Sequence, residues 1–336
     1  MSNNKDIKKQ DKFMKISVAL ASFNGEKFIK QQLLSIINQT RKVDEIIISD
    51  DGSTDSTIAL IKEIMGKYDI VYTILNNSNH GVVHNFYNAF KYTSGDVVVL
   101  CDQDDIWMPN KIEEIEKVFF DESIKCLNTS FDYIDEFGKK IIVENKKKFS
   151  NNNLICMEIK SNNIVEIPLE LVFHKNISPG MTMAVRKEII DTYIVHTQQE
   201  YIHDWELNCI AASLNGLYFF NKKLSHYRIH SLQTISISSL KKEGRLKQIK
   251  RKIVQVKKSL MSQINLLNEL FVISNDDKKS FINDVKQMYL TRYKVAVEHK
   301  IYLFFKEIFL FVKIKKKYNY IDIRYLLIDF FACFKK

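Results

Sequence analysis

The run Val97-Val98-Val99-Leu100-Cys101-Asp102-Gln103-Asp104-Asp105 constrains this chain more than any other stretch. Its apolar, mostly β-branched start reads as a strand buried on both faces, which delivers three carboxylates at its C-terminal tip. Like charges so close together repel unless something positive sits among them. A divalent cation, often one carrying a substrate phosphate, is the usual solution. In open α/β sheets, ligands bind outside the carboxyl ends of the strands, where this cluster falls. Cys101, inside the strand, reads as a small hydrophobe.

The chain around this strand alternates regularly. Ile16–Ala21 reads as a strand, and Glu26–Gln39 carries a helical apolar stripe. Glu45–Ser49 is a second strand, and Asp50-Asp51-Gly52-Ser53-Thr54-Asp55 supplies turn and N-cap chemistry before a helix over Ser56–Lys67. A strand at Ile70–Leu75 and a helix at Val82–Tyr92 follow. Beyond the acid cluster, Pro109 marks the start of a helix over Lys111–Phe120. Such repeats specify a parallel sheet with right-handed crossovers, so the fold class is α/β. Between about Ile124 and Ile167 the signal blurs into short strand candidates and a polar loop, Glu144–Asn153. Met181–Arg186 is strand-like, Lys187–Tyr193 helix-like, and His203–Leu214 an apolar helix. The organisation expected is a polar tail over 1–14, an α/β domain over 15–238 with halves 15–120 and 121–238, and a helical region over 239–336.

Charge divides the same way. Residues 241–336 hold 23 Lys and Arg against 9 Asp and Glu, a net of +14, which leaves −4 for residues 1–240. The basic excess therefore lies away from the acid cluster, in helices rich in aromatics: Phe304, Phe305, Phe309, Phe311, then Tyr318, Tyr320, Tyr325, Phe330, Phe331 and Phe334. Two readings stay open for this region. Its helices either lie on an anionic membrane surface or pack their aromatics on the α/β core. A nucleic-acid-binding protein is a third reading of the charge, but no nucleic-acid motif appears, and none is expected as a partner. Five cysteines without paired spacing, no signal-peptide core and no long uncharged apolar run point to a cytoplasmic protein, with peripheral attachment to the inner membrane face as an option.

The first strand runs into Ala21-Ser22-Phe23-Asn24-Gly25, which is neither a dinucleotide fingerprint nor a phosphate-cradling P-loop. The glycine-rich, Arg- and Lys-containing loop of a sugar nucleotidyltransferase is missing as well. What fits is a site where metal neutralises a diphosphate and acids gather base and ribose. The segments Val18 to Gly25, Asp50 to Asp55, and Asp102-Gln103-Asp104-Asp105-Ile106-Trp107 with Pro109 and Lys111 resemble family 2 glycosyltransferases, over roughly residues 15–235. The last segment is similar to the rhamnosyltransferase-like branch that builds bacterial surface polysaccharides. Ala21, where a hydroxyl residue is common, and Gln103, inside the Asp-x-Asp motif, are its departures.

That resemblance implies a GT-A fold, with a mixed, mostly parallel sheet flanked by helices, and inverting transfer from a UDP- or dTDP-sugar to a saccharide or lipid-linked saccharide. It implies that Ala21 and Phe23 line the base pocket, that Asn24 beside them binds the nucleotide-sugar, that Asp51, with Asp50 beside it, contacts the base, and that Asn85 lies by the pyrophosphate-side helix. Asp102 would face ribose and metal, with Gln103 beside it. Asp104 would ligate Mn²⁺ or Mg²⁺, and Asp105 is an unassigned third acid. In Ser225-His226-Tyr227-Arg228-Ile229-His230, Arg228 would meet the diphosphate and His230 complete the metal shell. Inverting transfer needs a base for the acceptor hydroxyl, and Asp204 in His203-Asp204-Trp205-Glu206 matches the family's position. Glu206 is its rival, and simple N-capping is the structural alternative for Asp204. Pro179-Gly180-Met181-Thr182 reads as the acceptor-side approach, and Trp107 and Trp205 are candidates to stack on sugars or to fill core.

Overall fold

The computed structural model describes residues 13–231 and 245–318, with Leu326, Asp329 and Ala332 beyond them. Residues 1–12, 232–244, the side chains of 245–258, and Tyr320, Tyr325, Phe330, Phe331 and Phe334 lie outside the described residues. One sheet holds β1 (Ile16–Ser22), β2 (Glu45–Asp50), β3 (Tyr72–Asn76), β4 (Val97–Asp102), β5 (Ile106–Trp107), β6 (Cys126–Ile134), β7 (Lys140–Ile141), β8 (Ile164–Glu166), β9 (Met183–Arg186) and β10 (Leu217–Arg228). The described helices are α1 (Ile29–Ile37), α2 (Thr57–Met65), α3 (Val82–Phe90), α4 (Lys111–Phe119), α5 (Leu169–Val172), α6 (Lys187–His196), α7 (His203–Ser213), α8 (Arg245–Ile273), α9 (Asp276–Ala296) and α10 (Phe304–Tyr318).

The strand order is β3-β2-β1-β4-β9-β6-β10-β5, with β7 on β6 and β8 on β10. β1 to β4 pair in parallel, and β9 runs antiparallel to both β4 and β6. This is the mixed, mostly parallel α/β sheet expected. Strand succession runs outward from β1 through β2 and then restarts on its other side at β4. That reversal opens a crevice at the carboxyl ends of β1 and β4. Register there pairs Ala21 with Asp102 and Ser22 with Asp50, so two acids flank the end of β1.

Both sheet faces are covered, as the continuous apolar strands require. Alternation sends Ile16, Val18 and Leu20 into one buried cluster with Ile29, Leu33, Ile61 and Ile112 of α1, α2 and α4. Ala19 and Ala21 face the other, with Phe86 and Phe90 of α3. The blurred signal between Ile124 and Ile167 resolves into β6 and the short β7 and β8; β6 and β8 both pair with the long, bulged β10.

The second cluster continues without a break into the C-terminal helices through Leu260, Leu267, Phe281, Val285 and Phe311. Phe173, just after α5, meets Phe281 at 6.5 Å and Tyr289 at 5.8 Å between ring centroids. Beneath α10, Arg292 donates to Asp329 at 2.7 Å. No helix among the described residues is long and apolar enough to cross a membrane. Because Phe281 seals the junction of the two regions, Phe281→Ala should cost about 3–5 kcal/mol. Urea unfolding should show this as one shifted transition rather than two.

Candidate active site

The end of β2 and the loops around it are built by carboxylates acting on backbone. Asp50 accepts from the Ser22 and Ser53 hydroxyls at 2.7 Å each and from the Gly52 and Ser53 amides at 3.1 and 2.7 Å. With its acceptor positions filled and only 4% exposed, Asp50 shapes the turn instead of reaching a base, which corrects its expected role. Asp51, one residue on, is clamped from above by the loop that precedes α3. The Asn77 amide and the Gly81 backbone N–H donate to its two oxygens at 2.7 and 2.8 Å, and His80 Nδ1 lies 3.3 Å from Oδ1. Gly81 has φ +106°, a backbone shape that a side chain would strain.

Ala21 is buried, Phe23 is half exposed at the rim, and Asn24 turns the chain with φ +46°. The Asn24 side-chain carbonyl accepts from the Thr54 amide at 2.9 Å, tying the β1 loop to the β2 loop. Gln103 makes the matching tie on the other side. Its carbonyl accepts from the Phe23 N–H at 2.8 Å and its amide donates to the Phe23 carbonyl at 2.9 Å. A Cβ on Gly25 would lie 2.1 Å from Gln103 Oε1, so this clamp requires the glycine. Asn85 of α3 completes the support by donating to the Ser22 carbonyl at 3.0 Å.

The acid cluster divides by direction. Asp104 points to His230, whose Nε2 stands 2.8 Å from Oδ2, and the imidazole rests 4.6 Å from the Phe28 ring. Asp105 turns inward, 1% exposed, and accepts from the Arg228 backbone N–H at 2.9 Å. Burial, then Asp104 and Asp102, push its carboxyl well above the usual range. Asp102 is raised to about 7 by burial, then by the charges of Asp104 and Asp204. Among the described residues, two cations answer the cluster from within the fold. Lys111 is fully buried, donating to the Met181 carbonyl at 2.6 Å and to Ser225 Oγ at 2.9 Å, with Trp107 4.2 Å away. Burial lowers it to about 7, against the raising pull of Cys101, Asp105 and Asp102.

Arg228 is the second cation, and here the structure corrects the sequence reading. Its guanidinium donates to the carbonyls of Asp104 (2.7 Å), Glu136 (3.1 Å) and Asp135 (3.3 Å) and to Gln31 Oε1 (2.7 Å), above the Phe28 ring. At 1% exposure it is a strut under the Asp104 loop and not a ligand for a diphosphate. Among the described residues, no three His, Cys, Asp or Glu side chains already converge as a metal cage.

Across the cleft, Asp204 occupies the first turn of α7 and accepts from the Trp205 N–H at 2.7 Å. The N-cap is Ile202, so capping is not the position Asp204 fills. Its surroundings come from a chain of buried amides. Asn128 donates to Asn208 Oδ1 at 2.7 Å, and Asn208 donates to Asn176 Oδ1 at 3.2 Å. That leaves the Asn176 N–H₂ to bond Asp204, where burial nevertheless lifts the carboxyl to about 6. Gly180 lies beside it, where a Cβ would stand 3.3 Å from His203 Nε2 and 3.5 Å from the Asp204 Cβ. Glu206, the rival base, instead accepts from Thr197 at 2.9 Å and faces Glu269 and Glu200, away from the cleft. Trp107 is core at 2% exposure, and Trp205 donates from its indole to the Val172 carbonyl at 2.7 Å.

Asp51 thus stands at the end of β2, Asp102 and Asp104 with His230 at the end of β4, and Asp204 at the start of α7, while Asp50, Gln103, Asn85 and Arg228 brace the loops between. The residues that sequence reasoning missed are supports of the same kind: Asn77, His80, Gln31, Asn176 and Asn208. Apart from the Asn and His content of the loop 76–81, nothing in their local pattern signals a role.

The family model for glycosyl transferase family 2 matches residues 17–165. The dTDP-rhamnosyl transferase RfbG of Shigella flexneri is 26% identical over 281 residues, covering 79% of this chain and 90% of its own. An uncharacterized glycosyltransferase of Haemophilus influenzae is 28% identical over 247 residues, covering 70% and 72%. In fold, the chain resembles the S. aureus TarS fragment 1–349 solved in complex with UDP, with a TM-score of 0.56 at 15% identity over 85% of this chain and 74% of that one.

Lysine cannot reproduce the four-way fork of Arg228. Arg228→Lys should therefore destabilise the protein by on the order of 2–4 kcal/mol, read by urea denaturation.

Proposed function

The chain is a family 2 glycosyltransferase of the GT-A fold, and from that premise we propose that it transfers a sugar with inversion from a UDP- or dTDP-sugar to a saccharide or lipid-linked saccharide of a cell-surface polysaccharide. The UDP bound to TarS and the dTDP-rhamnosyl activity in the name of RfbG favour those two donors. The observation that carries the reading is that Asp204, from α7, packs on Gly180, and the next residue, Met181, receives Lys111, which lies beneath the β4 acids.

Asp51 would accept a hydrogen bond from the base, held in register by Asn77 and Gly81. Phe23 and Ala21 would pack on the ring, with Asn24 and Asp102 toward the ribose. The side chains fit a divalent cation, Mn²⁺ or Mg²⁺. Asp104 and His230 offer a carboxylate and an imidazole 2.8 Å apart, Asp102 lies two residues away, and the diphosphate and water would fill the remaining positions. Such a cation would supply the positive charge that stabilises a departing diphosphate, a task Arg228 cannot reach.

Asp204 takes the proton of the acceptor hydroxyl as that oxygen forms its bond to the anomeric carbon. The bond from that carbon to the diphosphate oxygen breaks on the opposite face, and the electron pair leaves with the nucleotide. A carboxyl near 6 is a better base than an ordinary aspartate and is still ionised at neutral pH. The amides of Asn176, Asn208 and Asn128 hold it in place. An acceptor on a lipid carrier would be met at an anionic membrane surface, with the protein on its cytoplasmic side.

Asp204→Asn should lower transfer by at least about a hundredfold while leaving nucleotide binding by thermal shift unchanged. Asp104→Ala should abolish the gain in nucleotide affinity that Mn²⁺ brings. With the wild-type enzyme, kcat/KM should be flat above pH about 6 and fall about tenfold per unit below it, since only the ionised Asp204 accepts the proton. Wild-type turnover in Asp204→Asn would sink the assignment of the base.

A further inference from the structure

α10 is apolar on two opposite faces. Its inner face buries Glu307, Phe311 and Ile314, and Tyr318 at its end meets the Phe281 ring of α9 at 4.9 Å. Its outer face carries Phe305, Phe309 and Val312, continued by Tyr302 in the short turn before it, at 81, 69, 56 and 71% exposed. Spacings of three, four and three residues place these four in one line, roughly opposite the buried one. A core-packing helix needs one apolar face, so the second is unexplained by folding.

The exposed charges of α10 itself are of one sign. Lys306, Lys313, Lys315, Lys316 and Lys317 are all exposed, and Glu307, the one acid of α10, is buried against α9. Helical periodicity sets Lys306, Lys313 and Lys317 along one border of the stripe and Lys316 at its end. Lys313 and Lys317 also hold Asp284 of α9 at 3.0 and 3.1 Å, which fixes that border against the body of the protein. Aromatic side chains in a row with ammonium groups along the edge match the boundary between acyl chains and anionic headgroups. They do not match nucleic acid, which offers no apolar layer for four such side chains.

We infer that the outer face of α10 is a docking surface for a lipid bilayer bearing anionic headgroups, with Tyr302, Phe305, Phe309 and Val312 entering the interface and the bordering lysines meeting phosphate. This deepens the membrane part of the proposed function and rests on it only for its purpose, because lipid binding needs no sugar.

The test is co-sedimentation of the full-length protein with vesicles of phosphatidylglycerol and phosphatidylcholine, and with phosphatidylcholine alone, in the absence of any nucleotide sugar. Binding is expected to the anionic vesicles, weakened by salt, and to be weak on the neutral ones. The double variant Phe305→Ser/Phe309→Ser should bind at least about tenfold more weakly with an unchanged thermal melt, since neither ring is buried. The triple variant Lys306→Gln/Lys315→Gln/Lys316→Gln should lose most of the salt dependence. Absence of binding to anionic vesicles, or equal binding by the Phe305/Phe309 variant, would overturn the inference. So would a wild-type dimer in sedimentation velocity that the same variant dissolves without vesicle binding, because the stripe would then belong to a second copy. Transfer to a soluble acceptor, followed in parallel, separates these results from failure of the proposed reaction.

Discussion

The structure hinges on how a fold keeps three carboxylates at the tip of one buried strand. Asp102, Asp104 and Asp105 leave β4 together, and their repulsion is divided among different neighbours. Asp105 turns into the protein and receives the Arg228 amide, while Asp104 turns out to His230. Lys111 is sunk close enough to act on Asp102 and Asp105. Each answer recruits another part of the chain. Lys111 brings the Met181 turn against α4, and Arg228 gathers Gln31, the Asp104 loop and the 135–136 turn. Much of the chain beyond β4 is positioned by what the acids demand.

Asp204 shows the opposite strategy. Among the described residues no cation bonds it, and its surroundings are amides, one bonded to the next from β6 to the first turn of α7. Neutral dipoles fix a carboxylate without lowering its basicity as far as a salt bridge would. The acids are therefore answered in two ways: the cluster at the end of β4 by buried cations, and Asp204 by amides alone.

How far the sequence reveals this depends on the range of each interaction. The parallel half of the sheet was legible because Val97–Leu100, Ile46–Ile48 and Val18–Leu20 are buried on both faces and stay apolar without interruption. Asp104 and Asp204 were legible as residue types in a motif. Arg228 was found and given the wrong task, because its partners lie 92 to 197 residues away and no local pattern reports them. Asp50 was misread for a shorter-range reason: four hydrogen bonds from its own turn and from Ser22 consume a carboxylate that the sequence shows only as acidic. The amides behind Asp204 carry no periodicity at all. The two faces of α10 were visible only as a cluster of aromatics until packing sorted Phe311 from Phe305 and Phe309.

The strut made by Arg228 also sets an order in time. It joins the Asp104 loop to a strand 124 residues further along the chain. At about 5–20 residues per second, a nascent chain would hold the loops at the ends of β1, β2 and β4 for on the order of ten seconds before that strut is made. During that interval the acids at the end of β4 lack one of their two internal cations. The half of the protein made first is thus not finished first, and a truncated product ending before β10 would keep every acid of the cluster without the residue that holds their loop in shape.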